Sequence, residues 1–335
     1  MVQNHKPKVL IFGYGSVGKK YSNYFLKKKI EVIIYDPFIK VKNLKITIIK
    51  NYIELNKFKN KIDYSVISSL AGDHYPNFQI ASNLGIKNIL MEKPLTNKFD
   101  ELSRISHLIK KKKINFHSNH SWELYKLDSF LKQIQKKYRM GNPITFLSFG
   151  GAFCISTGAI HLFNIITKIL KIDINDMMIF SNLYQSNINP RSNKYKTFGG
   201  VVSVSDGKQK NIIFNYTNYS KIRTTQTLLY KFHKIDFYID GTYHIYRTDK
   251  KNDYKKITFL EDAKIIKKGK IYKKDNISIA ADYLLKRKIK IGYKSAYNSN
   301  IILFSIMISG KLKKTIKIKD TIQYFKKNSK KFLFT

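Results

Sequence analysis

The feature that most constrains the fold is a glycine-rich loop near the start of the chain. The segment Gly13-Tyr14-Gly15-Ser16-Val17-Gly18 directly follows the apolar run Val9–Phe12, and helical spacing of apolar residues comes after it. In such a strand–loop–helix unit the glycines allow a tight turn, a close approach of the backbone to a pyrophosphate, and close packing of helix on strand. The free N–H groups at the start of the helix favour a phosphate there. The pattern predicts a dinucleotide-binding loop. Its binding residues are predicted to be Gly13, Gly15, Ser16, Val17 and Gly18.

An acidic residue stands where a unit of this kind contacts the ribose. Asp36 directly follows the second strand-like run, Glu31–Tyr35, and is itself followed by Pro37. A carboxylate at this position accepts hydrogen bonds from ribose hydroxyls and repels a 2′-phosphate. The sequence therefore predicts NAD in preference to NADP. Lys40 and Lys42 are the features that favour NADP instead. The alternative reading of the loop is a glycine-rich turn in a fold that binds no nucleotide.

The order of strand-like and helical segments indicates the fold class. The predicted N-terminal strands are Val9–Phe12, Glu31–Tyr35, Ile46–Ile49, Tyr64–Ser68, Asn88–Met91 and Ile114–His117. Continuous apolar strands separated by helices are typical of a parallel sheet that is covered on both faces. We therefore predict an α/β chain with a Rossmann domain over residues 1–120 and a second domain over residues 121–335.

The second domain has a different pattern. One helix is predicted over Trp122–Tyr138 and another over Gly158–Leu170. From about residue 177 to 260 strand follows strand, with turns at Asp206-Gly207 and Asp240-Gly241. Two more helices are predicted near the C-terminus. The pattern predicts an α+β domain with a mostly antiparallel, open sheet, whose C-terminal helices can pack back on the first domain.

The formal net charge of +41 has two readings. A strongly positive surface attracts nucleic acid or an anionic membrane. However, arginine, which binds phosphates and bases more specifically than lysine, occurs only at positions 104, 139, 191, 223, 247 and 287. The lysines are spread over the whole chain together with abundant Asn, Ile, Tyr and Phe, which is typical of codon drift in an AT-rich genome. We therefore expect neither nucleic acid nor a membrane as a partner, although the positive field would still attract anionic substrates.

Cysteine content and hydropathy indicate the compartment. Cys154 is the one cysteine, so disulfide bonds are excluded and a reducing compartment is expected. The polar segment Met1–Lys8 has no apolar signal region, and the longest apolar stretches, such as Ile301–Ile308, are too short to cross a bilayer. We expect a cytoplasmic protein. No metal site is predicted, because no ligand spacing surrounds Cys154.

A second signature, Met91-Glu92-Lys93-Pro94-Leu95, follows the fifth predicted strand. Open parallel sheets bind their ligands at the C-terminal ends of the strands. Lys93 would therefore bring an ammonium group close to the nicotinamide and to a substrate oxygen. Taken alone, the residues favour another surface lysine in a lysine-rich chain.

Together these elements resemble the Gfo/Idh/MocA family, the relatives of glucose–fructose oxidoreductase and inositol dehydrogenase. The order of elements matches along nearly the whole chain, and Glu92-Lys93-Pro94 is the most specific match. The matching segments are the loop Gly13–Gly18, Asp36, Ser69-Leu70-Ala71-Gly72-Asp73-His74, Glu92-Lys93-Pro94-Leu95 and the stretch around His161.

The resemblance implies a Rossmann domain and an α/β domain whose open sheet often forms an oligomer interface, so a homo-oligomer is expected. It implies that Lys93 contacts substrate and cofactor, and that the Lys93–Pro94 bond is cis. Further cofactor contacts are implied for Glu92, Ser69, Leu70 and His74. His74 has a second reading, as a histidine at a helix start with local hydrogen bonds only.

A helix near the middle of the chain should carry the chemistry. The family places a histidine there, usually with one aspartate three residues later and often another four residues before it. This chain has His161, but Asn164 and Thr157 stand where the aspartates are expected. Read as a helix, the segment has one polar face, formed by Thr157, His161, Asn164 and Lys168. Polar groups on such an apolar helix need partners, which a ligand cleft or a satisfied core would supply.

Histidine suits proton transfer because it titrates near neutral pH. When a secondary alcohol is oxidised, we expect His161 to take the hydroxyl proton and Lys93 to stabilise the developing alkoxide. Asn164 can accept a hydrogen bond but supplies no charge, so its presence bears on catalytic rate and substrate orientation more than on cofactor binding. Substrate contacts are predicted for Asn119, Thr157 and Asn164.

Two further segments depart from the family pattern. Asn119 matches an asparagine of the family, but Ser121 stands where an arginine is frequent. The loop from Phe149 to Ser156 is short, where many relatives carry a longer loop that covers the substrate. Both departures indicate a narrower subgroup with its own substrate.

The sequence therefore predicts an NAD-dependent oxidoreductase acting on a hydroxyl or carbonyl carbon of a sugar, polyol or nucleotide sugar. Relatives with short loops often resemble surface-polysaccharide enzymes, which favours a nucleotide sugar. A second hypothesis, motivated by the missing aspartates, is a non-catalytic NAD-binding sensor or assembly protein. A third is a nucleic-acid binder, which predicts salt-sensitive binding to DNA or RNA but has no aromatic–basic motif to support it.

Overall fold

The computed structural model describes residues 6–39, 46–151, 154–186, 196–217, 219–248, 263–288, 291–327 and 332. The chain divides into two compact units. The first unit is formed by residues 1–124, 274–300 and 329–335, and the second by residues 125–273 and 301–328.

The first unit is built on a parallel sheet, which has six strands in the described part of the chain. The strands are β1 Lys8–Phe12, β2 Glu31–Tyr35, β3 Thr47–Ile49, β4 Tyr64–Ile67, β5 Asn88–Met91 and β6 Asn115–Ser118. Their order is β3-β2-β1-β4-β5-β6, so the strand order reverses at β1. Val9 to Phe12 are completely buried, as expected for a central strand with both faces covered. A reversal of this kind creates a crevice at the C-terminal ends of the strands.

Five helices described in the first unit accompany this sheet. They are α1 Ser16–Lys27, α2 His74–Asn83, α3 Phe99–Lys112, α4 Ser121–Leu124 and α7 Asn276–Leu285. Helix α7 comes from the C-terminal part of the chain, and its buried face joins the apolar cluster formed by β1, β2 and α1. Asp275 caps this helix by accepting a hydrogen bond from the Ser278 N–H.

The second unit contains a mixed sheet with nine strands among the described residues. The strands are β7 Thr145–Gly151, β8 Met178–Ser186, β9 Thr197–Ser205, β10 Asn211–Thr217, β11 Thr225–Leu229, β12 His233–Tyr238, β13 Thr242–Arg247, β14 Lys264–Lys270 and β15 Ile316–Lys317. Their order is β14-β13-β12-β11-β7-β10-β9-β8-β15, and neighbours are antiparallel except for β7 and β10. The remaining helices are α5 Leu127–Tyr138, α6 Ile160–Leu170, α8 Tyr293–Leu312 and α9 Ile318–Lys327. Residues 293–300 of α8 belong to the first unit and residues 301–312 to the second.

The predicted fold class is confirmed, including the parallel first sheet and the mostly antiparallel second one. The predicted turns at Gly207 and Gly241 are also present, with φ of 74° and 86°. The single helix predicted over residues 122–138 is wrong, because Lys126 adopts a left-handed conformation with φ of 58° and separates α4 from α5. In the described part of the chain, no helix combines the length and apolar character needed to cross a membrane.

Candidate functional site

The glycine-rich loop joins β1 to α1 in the first unit. Gly13 has φ of +86°, and a Cβ atom there would lie 2.7 Å from the Cα atom of Ser69. A Cβ atom on Gly18 would lie 2.0 Å from the carbonyl oxygen of Gly13. These two positions therefore require glycine, the first for its backbone conformation and both for close packing.

Gly15 differs from its two neighbours in the motif. A Cβ atom built on Gly15 meets nothing within 4 Å among the described residues. Gly15 precedes α1 in extended conformation, and the first turn of α1, which contains Ser16 and Val17, has neither a side-chain cap nor an acidic residue. Exposed N–H groups beside open space fit the pyrophosphate of a dinucleotide, which a methyl group at Gly15 would hinder.

The Asp36 carboxylate is held close to this loop. Its Oδ2 atom accepts a hydrogen bond from the Tyr14 N–H at 2.8 Å, and its Oδ1 atom accepts one from the Phe38 N–H at 2.9 Å. Each carboxylate oxygen can accept a further hydrogen bond, so two ribose hydroxyls can still be bound. Lys40 and Lys42, which spoke for NADP, lie outside the described residues.

The loop after β4 connects the glycine loop to the loop after β5. The Ser68 hydroxyl donates to the Gly13 carbonyl at 3.0 Å, and the Asn77 amide donates to the Ser69 hydroxyl at 2.9 Å. The ring of His74 lies with Nε2 3.0 Å from the Ser69 carbonyl oxygen and Nδ1 2.8 Å from the Pro94 carbonyl oxygen. His74 therefore braces the two loops from the protein interior.

Burial lowers the pKa of His74, despite the hydrogen bonds to carbonyl groups that oppose this shift. A neutral ring carries a single N–H, so it donates to one of the two carbonyls at a time. Ser69 and Leu70, the other predicted residues of this loop, are half-buried.

Glu92 and Asn119 belong to a buried polar network. The Glu92 Oε1 atom accepts from the Asn119 amide at 2.7 Å and from the Tyr21 hydroxyl at 3.0 Å. The Asn276 amide donates to the Asn119 Oδ1 atom at 3.0 Å. Burial, reinforced by the Glu92 carboxylate, raises the pKa of Tyr21 well above its ordinary value, so Tyr21 remains a hydrogen-bond donor. The network ties α1 and α7 to the ends of β5 and β6.

Along the chain, Lys93 stands between Glu92, which belongs to this network, and Pro94, whose carbonyl faces His74. The Lys93–Pro94 peptide bond is cis, which confirms the expectation from the family resemblance. Within residues 91–97 Lys93 is half-buried and every other residue is buried. The chain therefore presents one ammonium group from a loop that is otherwise packed inside the protein.

Helix α6 carries the predicted acid–base residue in the second unit. One turn of π-helix, Ile155–Ala159, precedes it, so α6 itself begins at Ile160. The wider turn changes the rotation between Thr157 and His161 from that of the continuous helix expected from the sequence.

Exposure differs along the predicted polar face. Within residues 154–167 Thr157 and His161 are half-buried, and all other residues, including Asn164, are buried. Lys168 is exposed. The Cys154 thiol is buried and lies 3.2 Å from the Ser156 hydroxyl. Thr157 and His161 are therefore the polar groups that this segment can offer to a ligand.

Comparison with known proteins finds one family over the first domain. Residues 7–120 match the sequence model of the Gfo/Idh/MocA oxidoreductase family with an NAD-binding Rossmann fold. This match supports, over residues 7–120, the resemblance to the Gfo/Idh/MocA family that the sequence motifs indicated. No curated protein matches the sequence.

Solved structures match over both domains. An NAD-binding protein from Listeria innocua is 14% identical with a TM-score of 0.69, over 94% of this chain and 98% of its own. A protein from Desulfitobacterium hafniense, provisionally described as an NADPH-dependent oxidoreductase, is 12% identical with a TM-score of 0.72, over 95% and 99%. The UDP-N-acetylglucosamine 3-dehydrogenase GnnA from Acidithiobacillus ferrooxidans is 10% identical with a TM-score of 0.66, over 91% and 97%. At these identities the matches establish a shared fold.

Several residues around the Gfo/Idh/MocA signatures were not predicted from the sequence. Tyr21, Asn276 and Asn300 all bond to the loops that follow β5 and β6. A polar residue inside an apolar helix, such as Asn300 before the run Ile301–Ile308, is a signal for a buried hydrogen bond, but it does not reveal the partner. Among the residues that the structure describes, no group of three His, Cys, Asp or Glu side chains could hold a metal ion.

Proposed function

We propose that this protein is an NAD-dependent oxidoreductase that transfers hydride to or from a hydroxyl or carbonyl carbon of a sugar, polyol or nucleotide sugar. One observation carries the proposal. Lys93 is presented by a buried loop that His74 connects to the Ser69 loop, and Ser69 in turn packs against Gly13 of the dinucleotide loop. A cation held in this way suits an oxygen that becomes negative during the reaction.

NAD is the proposed cofactor, in preference to NADP. When bound, it supplies a two-electron hydride acceptor or donor. The glycine loop would hold its pyrophosphate, Asp36 its ribose, and the segments around Ser69, Leu70, Glu92 and Lys93 its nicotinamide half. The Asp36 carboxylate would repel a 2′-phosphate, so NADPH should bind at least about tenfold more weakly than NADH. Asp36→Ala should narrow this preference, as measured by titration with both nucleotides.

We assign acid–base catalysis to His161 and stabilisation of the substrate oxygen to Lys93. Loss of hydride from an alcohol carbon requires the hydroxyl proton to leave as well, and the imidazole accepts it. In the reverse direction the imidazolium returns the proton to the carbonyl oxygen. Thr157, Asn119 and Asn164 are the proposed substrate contacts.

A nucleotide sugar is the substrate class that we favour. The structural likeness to a UDP-N-acetylglucosamine 3-dehydrogenase supports this choice, and the positive charge of the chain would attract a diphosphate. We place the activity in the cytoplasm, with the synthesis of a surface polysaccharide as its purpose.

We also propose that the protein is a homo-oligomer assembled through the sheet of the second unit. Phe149, Phe180 and Val201 share one face of the sheet by register and are 51%, 41% and 38% exposed. A row of exposed apolar side chains on an open sheet favours burial against a second copy. Phe149→Asp should reduce the oligomer size in sedimentation, whereas Phe38→Asp, at an exposed phenylalanine of the first unit, should not.

The decisive experiment is a titration with NADH followed by fluorescence, and then a screen of sugars and UDP-sugars at the nicotinamide absorbance band. We expect NADH binding and turnover of at least one nucleotide sugar. His161→Ala should lower kcat by about a hundredfold or more while NADH binding is retained. An unchanged kcat would contradict the role of His161, and failure of NADH to bind at millimolar concentration would contradict the proposed function.

The alternative is a catalytically weakened NAD-binding sensor or assembly protein of the same fold. The observation in its favour is that Asn164, not an aspartate, follows His161 by three residues and is buried. NADH binding without turnover in the screen, together with no gain of turnover in Asn164→Asp, would favour this alternative.

A further inference from the structure

The backbone that follows Lys93 is buried and needs internal hydrogen-bond partners. Residues Pro94 to Asn97 are all buried. Apart from Pro94, which has no N–H group, these residues have both N–H and C=O groups in the protein interior, and each such group needs a partner in the protein.

Asn300, on α8, supplies two of these partners. Its Oδ1 atom accepts a hydrogen bond from the Leu95 N–H at 2.7 Å, and its Nδ2 atom donates to the Thr96 carbonyl at 3.1 Å. The Asn300 side chain is 0% exposed. A planar amide presents a donor NH2 group and an acceptor oxygen side by side, so it can bind the edge of a peptide segment as a neighbouring strand would.

Other contacts hold the same segment on either side of Asn300. The Pro94 carbonyl faces the Nδ1 atom of His74 at 2.8 Å, and the Asn97 carbonyl accepts from the Phe332 N–H at 2.9 Å. The hydrogen bonds to Asn300 hold the peptide edge immediately beyond Pro94, two residues from Lys93. A rotation of this segment would move the Lys93 ammonium group.

We propose that Asn300 is a positioning residue for Lys93. It fixes the backbone of residues 95 and 96, and thereby sets where the Lys93 ammonium group lies relative to the cofactor and the substrate oxygen. The inference rests on the proposed function, because it assumes that Lys93 acts in the nicotinamide site. A displacement of about 1 Å can cost on the order of a hundredfold in rate. A small shift of this loop would therefore have a large effect on catalysis.

The test is a double-mutant cycle on the dissociation constant of NADH with the full chain. Four proteins are compared: the unaltered protein, Lys93→Ala, Asn300→Ala and the double variant. We expect each single substitution to weaken binding about tenfold. If Asn300 acts through Lys93, removal of Lys93 in the Asn300→Ala background should add less than about a threefold loss.

Matched controls separate positioning from general destabilisation. Ser305 lies on the same helix, is completely buried, and bonds to the Ile301 carbonyl and the Thr321 hydroxyl. Ser305→Ala should lower the melting temperature without changing the effect of Lys93→Ala on NADH binding. If Asn300→Ala fails to fold, Asn300→Asp keeps the acceptor for the Leu95 N–H and takes its place in the cycle.

The outcomes are distinct. The role of Asn300 would be overturned if the two single effects on the NADH dissociation constant multiply in the double variant. It would also be overturned if Lys93→Ala has no effect on NADH binding in the unaltered background. Neither result would contradict NADH binding itself. Failure of the unaltered protein to bind NADH would overturn the proposed function, and this inference with it.

Discussion

At the scale of single residues, Gly15 and Gly18 differ in what an added methyl group would meet. A Cβ atom on Gly18 would lie 2.0 Å from a backbone oxygen, so Gly18→Ala should lower the unfolding free energy by more than about 2 kcal/mol. A Cβ atom on Gly15 has open space, so Gly15→Ala should change it by less than about 1 kcal/mol. Since that space should hold the pyrophosphate, Gly15→Ala should weaken NADH binding at least about tenfold. Urea unfolding and NADH titration test the pair; normal NADH binding by Gly15→Ala would contradict the assigned phosphate position.

His117 predicts how stability depends on pH. It is 2% exposed, and burial lowers its pKa from 6.5 to about 4. Between these values the unfolded chain binds the proton and the folded chain does not, so stability is lost as the pH falls through this window, by up to about 3 kcal/mol. His117→Leu should therefore reduce the loss of stability between pH 6.5 and pH 4, measured by urea unfolding at several pH values. Replacement of His107, which is exposed on α3, is the control, and an equal reduction there would refute the assignment to His117.

At the scale of elements, several helices end with a basic residue in the left-handed conformation. The residue after α3 is Lys113 with φ of 51°, and the residue after α6 is Lys171 with φ of 57°. Side chains pay a steric cost in this conformation, and glycine is preferred at such helix ends.

These helix ends lead to a stability prediction with an internal control. Lys113→Gly and Lys171→Gly should each raise the unfolding free energy by about 0.5–1 kcal/mol, because glycine adopts the observed φ without the cost of a Cβ atom. Lys112→Gly, at the last residue of α3, should lower it by about 1 kcal/mol instead. Denaturant midpoints measure the stability of all three variants. A loss of stability in both Lys113→Gly and Lys171→Gly would show that the lysine side chains make compensating contacts.

At the scale of the whole molecule, the first unit is not continuous in sequence. Helix α7 contributes Ile277, Ala280, Ala281 and Leu284 to the apolar cluster around β1 and α1. The dinucleotide loop therefore depends on residues far along the chain from it, because the cluster that supports α1 is complete only with α7.

Leu284 tests this dependence. Leu284→Ala should lower the unfolding free energy by about 2–5 kcal/mol, because it removes a completely buried side chain from the cluster. It should also weaken NADH binding if α1 becomes less well held. Leu285→Ala, at a partly buried neighbour, should cost less in both measurements. Equal effects of the two substitutions would contradict the packing role of α7.

The sequence by itself determined the elements whose signals are local. Strand and helix periodicities predicted the six parallel strands, because a strand buried on both faces is continuously apolar. Gly13 and Gly18 were recognisable from their spacing in a loop between an apolar strand and a helix. In the structure their backbone surroundings fit only glycine. The cis bond before Pro94 followed from a family motif that occupies consecutive positions.

Only the tertiary structure decided which distant residues serve these elements. The sequence offers no local signal that Asn300 bonds to Leu95 and Thr96, or that Asn276 bonds to Asn119, because a buried amide can take its partner from any part of the chain. The break at Lys126 and the π-turn before α6 were likewise not predicted from the sequence. The reason is physical: local patterns report the period of burial along the backbone, whereas the pairing of buried polar groups depends on which segments the completed core brings together.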